Sequence, residues 1–356
     1  MSKFLIESRK TLVPYTPGEQ PKVCEYVKLN TNESPFPPSE QARRCAAKAL
    51  ETLQLYSDPT CEGLVEKACE VFGVQKDEIL FTNGSDEILN FAFMAFCDAS
   101  HPAMFPDITY GFYPVFADLH GVPYQQVPLA EDFTVRIEEY LHAKHTIFIA
   151  NPNAPTGIAL SLKQVEEIVK ANADNVVVID EAYVDFGAES AINLIHRYDN
   201  LLVTRTFSKS RSLAGARLGF GVGCKELIRD LNTIKYATNP YNVNAATMAA
   251  GVGSLCDEAY TAANIETIIK NREYTLEQLR QCGFRVLPSS ANFVFAAHPA
   301  IGGEALYLAL KNKGILVRHF TLERIRDFNR ITIGTKEQMR LLVDTIKEIL
   351  TAEGIK

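Results

Sequence analysis

What this chain lacks bounds it first. None of its 356 residues belongs to an uninterrupted apolar run near the roughly 18–20 that a membrane-spanning helix needs. The opening residues, Met1-Ser2-Lys3-Phe4-Leu5-Ile6-Glu7, reach a charge after three apolar side chains, so no secretory leader is expected there. A basic excess is missing too: 36 Lys plus Arg stand against 43 Asp plus Glu, a net charge of −7. That balance argues against a nucleic-acid binder, which needs a basic stripe. The eight cysteines, at 24, 45, 61, 69, 97, 224, 256 and 282, form no Cys-x-x-Cys. They read as buried or half-buried thiols of a reducing, cytoplasmic compartment. His142 and His145 are three apart, but no cysteine or acidic residue is spaced to complete a zinc set, so no metal is expected. Internal repeats and low-complexity runs are absent as well. With 47% hydrophobic and 22% charged residues the composition is ordinary globular. It excludes a disordered tail, a collagen-like repeat and a coiled coil.

What is present has the texture of an α/β protein. The length suggests about two domains. Residues 1–35, rich in Pro, Asn and Thr, read as an irregular arm. Residues 36–240 read as a large domain and 241–356 as a small C-terminal one. Ser39 to Leu53 repeats apolar residues at helical spacing. Ile79 to Thr82, Thr146 to Ala150, Val176 to Asp180, Leu201 to Thr204 and, more loosely, Arg217 to Val222 read as strands. Ser161-Leu162-Lys163-Gln164 is a capping box opening a helix. Short, continuously apolar strands separated by helices mean a mostly parallel sheet covered on both faces. The small domain reads as α+β, with strands at Ala291 to Phe295 and Ile315 to Arg318.

Parallel sheets place ligand sites just past the carboxyl ends of their strands. There fall Gly84-Ser85-Asp86, Asn151 to Gly157, Asp180-Glu181-Ala182-Tyr183 and Ser208-Lys209. Gly84-Ser85-Asp86 joins a strand to a helix start, where backbone N–H groups and the helix dipole favour a phosphate, although such residues also serve as plain caps. No Gly-x-x-x-x-Gly-Lys-Ser/Thr occurs, which excludes an ordinary P-loop. Gly219-x-Gly221-x-Gly223 sits inside a strand pattern and reads as close backbone packing. Asp180 ends an apolar strand, and a carboxylate there needs a cation: a protonated ring nitrogen or a structural arginine. Lys209, in a Ser/Thr loop after a strand, reads either as a surface lysine or as a Schiff-base lysine. Arg217 follows eight residues later, close enough to serve the same phosphate.

Several runs carry a family resemblance. They include Lys28 to Pro35, Tyr56-Ser57-Asp58-Pro59, Thr82 to Glu87, Pro106 to Tyr110 and Asn151 to Gly157. They continue through Asp180 to Tyr183, Arg205 to Lys209, Leu213 to Gly219, Ser290 to Phe293 and Arg330 to Gly334. In this order, over nearly the whole chain, they resemble the fold-type I pyridoxal-phosphate (PLP) aminotransferases, and within them the histidinol-phosphate aminotransferases.

The resemblance implies roles. Lys209 would be the Schiff-base lysine and the base that moves the Cα proton. Asp180 would pair with the pyridinium nitrogen, Tyr183 would donate to the ring's phenolic oxygen, and Tyr110 would stack on the ring. Gly84, Ser85, Asp86, Thr206, Ser208 and Arg217 would hold the cofactor phosphate. Tyr56 would reach the phosphate of a neighbouring subunit, so a homodimer with shared active sites is implied. Arg330 would bind the anionic end of the substrate, with Arg318 and Tyr15 recognising the side-chain end. The implied substrates are a phosphorylated amine, L-histidinol phosphate, with 2-oxoglutarate, interconverted with imidazole-acetol phosphate and L-glutamate in a ping-pong cycle of histidine biosynthesis.

One departure stands out. The family usually has Asn immediately before Pro-Thr-Gly, bonded to the phenolic oxygen, and here that position is Ala154. Either Asn153 swings in, the favoured reading, or Tyr183 serves the oxygen alone. Competing readings keep the cofactor: an aromatic or broad-range amino-acid aminotransferase, or a decarboxylase of threonine-phosphate type. A PLP-binding transcription regulator is disfavoured, because the family motifs begin by about residue 14 and leave no room for a DNA-binding domain. The arm motif at Val13-Pro14-Tyr15 and the run Tyr241 to Asn244 lean toward the histidinol-phosphate group.

Overall fold

The computed structural model describes residues 2–20 and 26–355; Cys24 lies outside them. A seven-stranded sheet forms the centre. Its spatial order is Ile79–Thr82, Gly219–Gly223, Leu201–Thr206, Val177–Asp180, Thr146–Ala150, Ala103–Pro106 and Tyr124–Val127. All neighbours pair parallel except Gly219–Gly223, which runs antiparallel to both strands beside it.

Side chains of the central strands alternate between two apolar layers, as the pleat demands. Ile147, Ile149, Val177, Ile179 and Val203 enter one core with the helices Glu62–Phe72 and Leu162–Ala171. Phe148, Ala150, Val178 and Leu202 enter the other with Ser85–Phe96 and Phe112–His120. Both faces are therefore covered, which explains why these strands show no polar alternation. The capping box at Ser161 and Gln164 is formed, opening Leu162–Ala171.

A second sheet of four antiparallel strands orders Arg318–His319, Phe328–Thr332, Phe293–Ala297 and Arg285–Val286. It packs in a separate apolar core with the helices Glu258–Gln281, Gly303–Asn312 and Lys336–Ala352. The expected strand from Ile315 to Arg318 is broken. Ile315–Leu316 pairs with Val27–Lys28, whereas Arg318–His319 joins the four-stranded sheet. The stretch after residue 26 is likewise less loose than its composition suggests. Val27–Lys28 is a strand, and Leu29, Asn30 and Asn32 are buried.

Seven free cysteines lie among the described residues, and Cys256 is exposed rather than buried or half-buried. Among the described residues no helix is long and apolar enough to cross a membrane.

Candidate active site

Two adjoining cavities open at the carboxyl ends of the central strands. The first, about 330 Å³, is lined by Ser85, Asp86, Tyr110, Asp180, Tyr183, Thr206, Ser208, Lys209 and Arg217, among others. The second, about 620 Å³, is lined by Tyr15, Asn32, Arg318 and Arg330, among others. Thr31, Tyr110, Ala154, Tyr183 and Lys209 line both and form the shared wall. Lys209 Nζ lies 3.5 Å from the Thr31 carbonyl and 5.7 Å from the centre of the Tyr183 ring.

The first cavity has an anion-binding end. The helix Ser85–Phe96 starts there with Gly84 as its cap residue, and no side chain caps it. Its first N–H groups and dipole therefore face the cavity end. Gly84 has φ +81°, and a Cβ on it would sit 2.5 Å from the Arg217 guanidinium. A Cβ at Gly219 would strike the Ser85 backbone, so the glycine seen as close packing lets the strand touch the helix start. Arg217 itself holds a left-handed φ of 58°, uncommon for a non-glycine residue. Thr206 and Ser208 add hydroxyls 2.9 Å apart. Asp86 departs from its expected role. Its carboxylate accepts from Arg217 at 2.8 Å and from the Tyr110 hydroxyl at 2.6 Å. It orients these two, and only its backbone N–H suits an anion.

The same cavity holds a buried acid. Asp180 is 5% exposed; it accepts from Tyr113 Oη at 3.2 Å and from the Ala182 N–H at 3.2 Å. Among the described residues no lysine, arginine or histidine pairs with it; its partners are the phenol and the backbone N–H. Burial, reinforced by the charge of Asp86, pushes its carboxyl up to about 7. A bound cationic ring nitrogen would reverse that. The donor set and the unpaired acid lining one cavity fit a phosphorylated pyridine.

Behind Lys209 a buried charged cluster ties two loops together. Arg205 pairs with Asp185 and lies 4.0 Å from Glu181, and Ser210 donates to Asp185. Burial opposes ionisation of Asp185, but Arg205 and the other donors hold its carboxyl below the usual range. The loop bearing Tyr183 is thereby fixed to the loop bearing Lys209.

In the second cavity Arg330 donates to the Asn30 carbonyl at 3.0 Å, and its Nε is buried without a partner. The guanidinium lies between the faces of Phe293 and Phe320 at 5.4 and 5.8 Å. Arg318 is its direct cross-strand neighbour and donates to the carbonyls of Thr16 and Pro17. Tyr15 stacks on Phe112 at 4.3 Å and stands 6.3 Å from Tyr110. Burial raises its hydroxyl pKa, although Arg330 and Arg318 oppose this.

Two expected residues are not brought to the cavities. Asn153 is 2% exposed and its amide is fully used. Its Oδ1 accepts from Thr109, and its Nδ2 donates to the Ile108 carbonyl and to Thr156. It does not swing toward Tyr183. Tyr56 is 84% exposed and stacks on Tyr241 at 4.8 Å, outside both cavities of its own chain. Conversely Asn32, Thr31 and Tyr113 carry polar groups of the site that single-residue reasoning missed. The first two lie in the Lys28 to Pro35 run, which signalled the region without signalling the residues.

Residues 25–346 match the family described as aminotransferase class I and II. The chain belongs to this family. It is 47% identical over 352 residues to a histidinol-phosphate aminotransferase of Brachyspira hyodysenteriae, covering 98% of this chain and 99% of that one. It is 45% identical over 350 residues to histidinol-phosphate aminotransferase 1 of Pseudomonas fluorescens, covering 98% and 100%. In fold it is similar to the crystal structure of histidinol-phosphate aminotransferase from Sinorhizobium meliloti in complex with pyridoxal-5'-phosphate. The TM-score is 0.85, with 24% identity and 92% of each chain covered. This aminotransferase thus has the fold-type I architecture, with a mainly parallel central sheet.

Proposed function

We propose that the chain transfers the amino group of L-glutamate to imidazole-acetol phosphate, giving L-histidinol phosphate and 2-oxoglutarate, reversibly and in two half-reactions. The observation that carries this reading is the pair of cavities meeting at Lys209, one suited to a phosphorylated pyridine and the other bearing two guanidiniums for an anion. The near full-length likeness to histidinol-phosphate aminotransferases supports the substrate.

PLP is the cofactor, and when bound it supplies an electron sink for the substrate's Cα. The backbone at Gly84, Ser85 and Asp86, the hydroxyls of Thr206 and Ser208, and Arg217 hold its phosphate. Asp180, as carboxylate, would keep the ring nitrogen protonated; Tyr183 would donate to the phenolic oxygen, and Tyr110 would pack against the ring. Lys209 would hold the cofactor, and its amine is the group placed to move the proton at Cα. Arg330 would bind the anionic end of either substrate through its planar fork, because a glutamate carboxylate and the phosphate of histidinol phosphate are both anions. Arg318 and Tyr15 line the same end. The exposed Tyr56 serves the cofactor phosphate of a second subunit in a homodimer, and the enzyme works in the cytoplasm.

The test has two arms. Borohydride reduction of the yellow protein followed by mass mapping is expected to place the cofactor on Lys209, and any other lysine refutes the assignment. With glutamate as donor, imidazole-acetol phosphate is expected to outcompete phenylpyruvate and other 2-oxo acids; equal use of phenylpyruvate refutes the substrate.

A further inference from the structure

The position where the family usually carries a cofactor-facing amide is Ala154, and the neighbouring Asn153 is fully engaged elsewhere. The amide that reaches this corner comes from another part of the chain. Asn32 Nδ2 donates to the Tyr183 hydroxyl at 2.9 Å.

The orientation of that amide follows from its neighbours. The Asn32 backbone N–H donates to the Thr332 hydroxyl at 2.9 Å. With that lone pair occupied, the Thr332 hydroxyl proton goes to Asn32 Oδ1 at 3.1 Å. Oδ1 is thus an acceptor, and the amide nitrogen must face Tyr183. Asn292 also donates to the Asn32 carbonyl at 3.0 Å. Asn32 holds a left-handed φ of 55°, a conformation that Asn tolerates better than most residues.

A phenol has one proton. When its oxygen accepts from Asn32, that proton is free to point away, into the cavity shared with Lys209. Accepting a hydrogen bond also makes the hydroxyl a stronger donor. We infer that Asn32 is a positioning residue that replaces, at one remove, the amide missing at Ala154. It commits Tyr183 to donate into the cavity, toward the phenolic oxygen of the cofactor. This rests on the cofactor reading above.

The experiment compares holoenzyme carrying Asn32→Asp with wild type, each also in a Tyr183→Phe background. Asn32→Asp keeps the shape and the tolerance for left-handed backbone but turns the donor into an acceptor, which captures the tyrosine proton. The readout is the pH midpoint of the visible absorbance band, with cofactor affinity measured by reconstitution of stripped protein. A donor to the phenolic oxygen stabilises the deprotonated chromophore, so losing it raises the midpoint. In the Tyr183 background Asn32→Asp is expected to raise the midpoint by about one pH unit more than in the Tyr183→Phe background, where only the direct effect of the added charge remains. Asn32→Ala is expected to show the same sign with a smaller difference. Equal shifts in both backgrounds, or none, overturn the inference while leaving the cofactor reading intact. A wild-type protein that takes up PLP with no visible band overturns both.

Discussion

Changing Asp180 to Asn should make the cofactor-free protein more stable and the loaded enzyme nearly inactive. The carboxyl is 5% exposed, and its donors are one phenol and one backbone N–H. Burial, with the charge of Asp86, raises it from 3.8 to about 7. A folded-state value above the unfolded one means the folded chain holds the proton more tightly. Stability is therefore lost as pH rises from about 4 to about 7, and the loss is complete above that. A displacement of that size corresponds to at most about 4 kcal/mol. For a chain of this length, about 4 kcal/mol moves the melting temperature by about 5 °C. Scanning calorimetry of stripped wild type and Asp180→Asn should show equal Tm at about pH 4 and a gap, with the variant higher, that opens toward about pH 8. Adding PLP should raise the wild type more than the variant, because the ring cation neutralises the buried charge. Transamination by Asp180→Asn should fall at least about 10²-fold in kcat, as expected for a lost transition-state charge interaction. A variant that turns over near the wild-type rate, or whose stripped form gains nothing at high pH, would show that Asp180 is only a structural acid.

Arg330→Lys keeps the charge and loses the planar fork, so KM should rise about 10-fold or more for both glutamate and imidazole-acetol phosphate while PLP affinity stays unchanged. Steady-state kinetics of each half-reaction check this; a rise for glutamate alone would mean that Arg318 and Tyr15 hold the phosphate. Mixing inactive Tyr56→Ala chains with inactive Lys209→Ala chains should restore part of the activity, because each mixed dimer regains one intact site. Mixtures that demonstrably exchange subunits yet stay inactive would refute a shared site.

Five of the seven central strands were legible because they are apolar on both faces; Ala103–Pro106 and the largely exposed edge strand Tyr124–Val127 were not read. Val177–Asp180 and Thr146–Ala150 fall where continuous apolar runs end in polar residues. The reversed direction of Gly219–Gly223 was not legible, since period and composition do not encode direction. The break at Val317 was equally hidden: three apolar residues and an arginine read as one strand, but tertiary pairing divides them between two sheets. Within the site, Asp180, Lys209 and Arg217 announced themselves as charged residues at strand ends. Asn32 could not, because its part depends on Thr332 and Tyr183, which are distant in sequence and reach it only in the fold. Asn153 misled for the converse reason. Sequence adjacency to Ala154 says nothing about where an amide finds its partners.

The cross-strand pair Arg318 and Arg330 has a consequence for how binding energy is distributed. Two guanidiniums directly opposite each other on antiparallel strands repel, and burial of Arg330 lowers its own pKa. The four-stranded sheet thus holds a repulsion where it lines the second cavity. An anion arriving there acts as a missing counterion, and part of its affinity is the relief of that repulsion. Part of a ligand's contribution would therefore be spent on the scaffold: a phosphate or carboxylate beside both guanidiniums would tighten the pairing of Arg318–His319 with Phe328–Thr332, the short strand whose Arg318 also holds the carbonyls of Thr16 and Pro17.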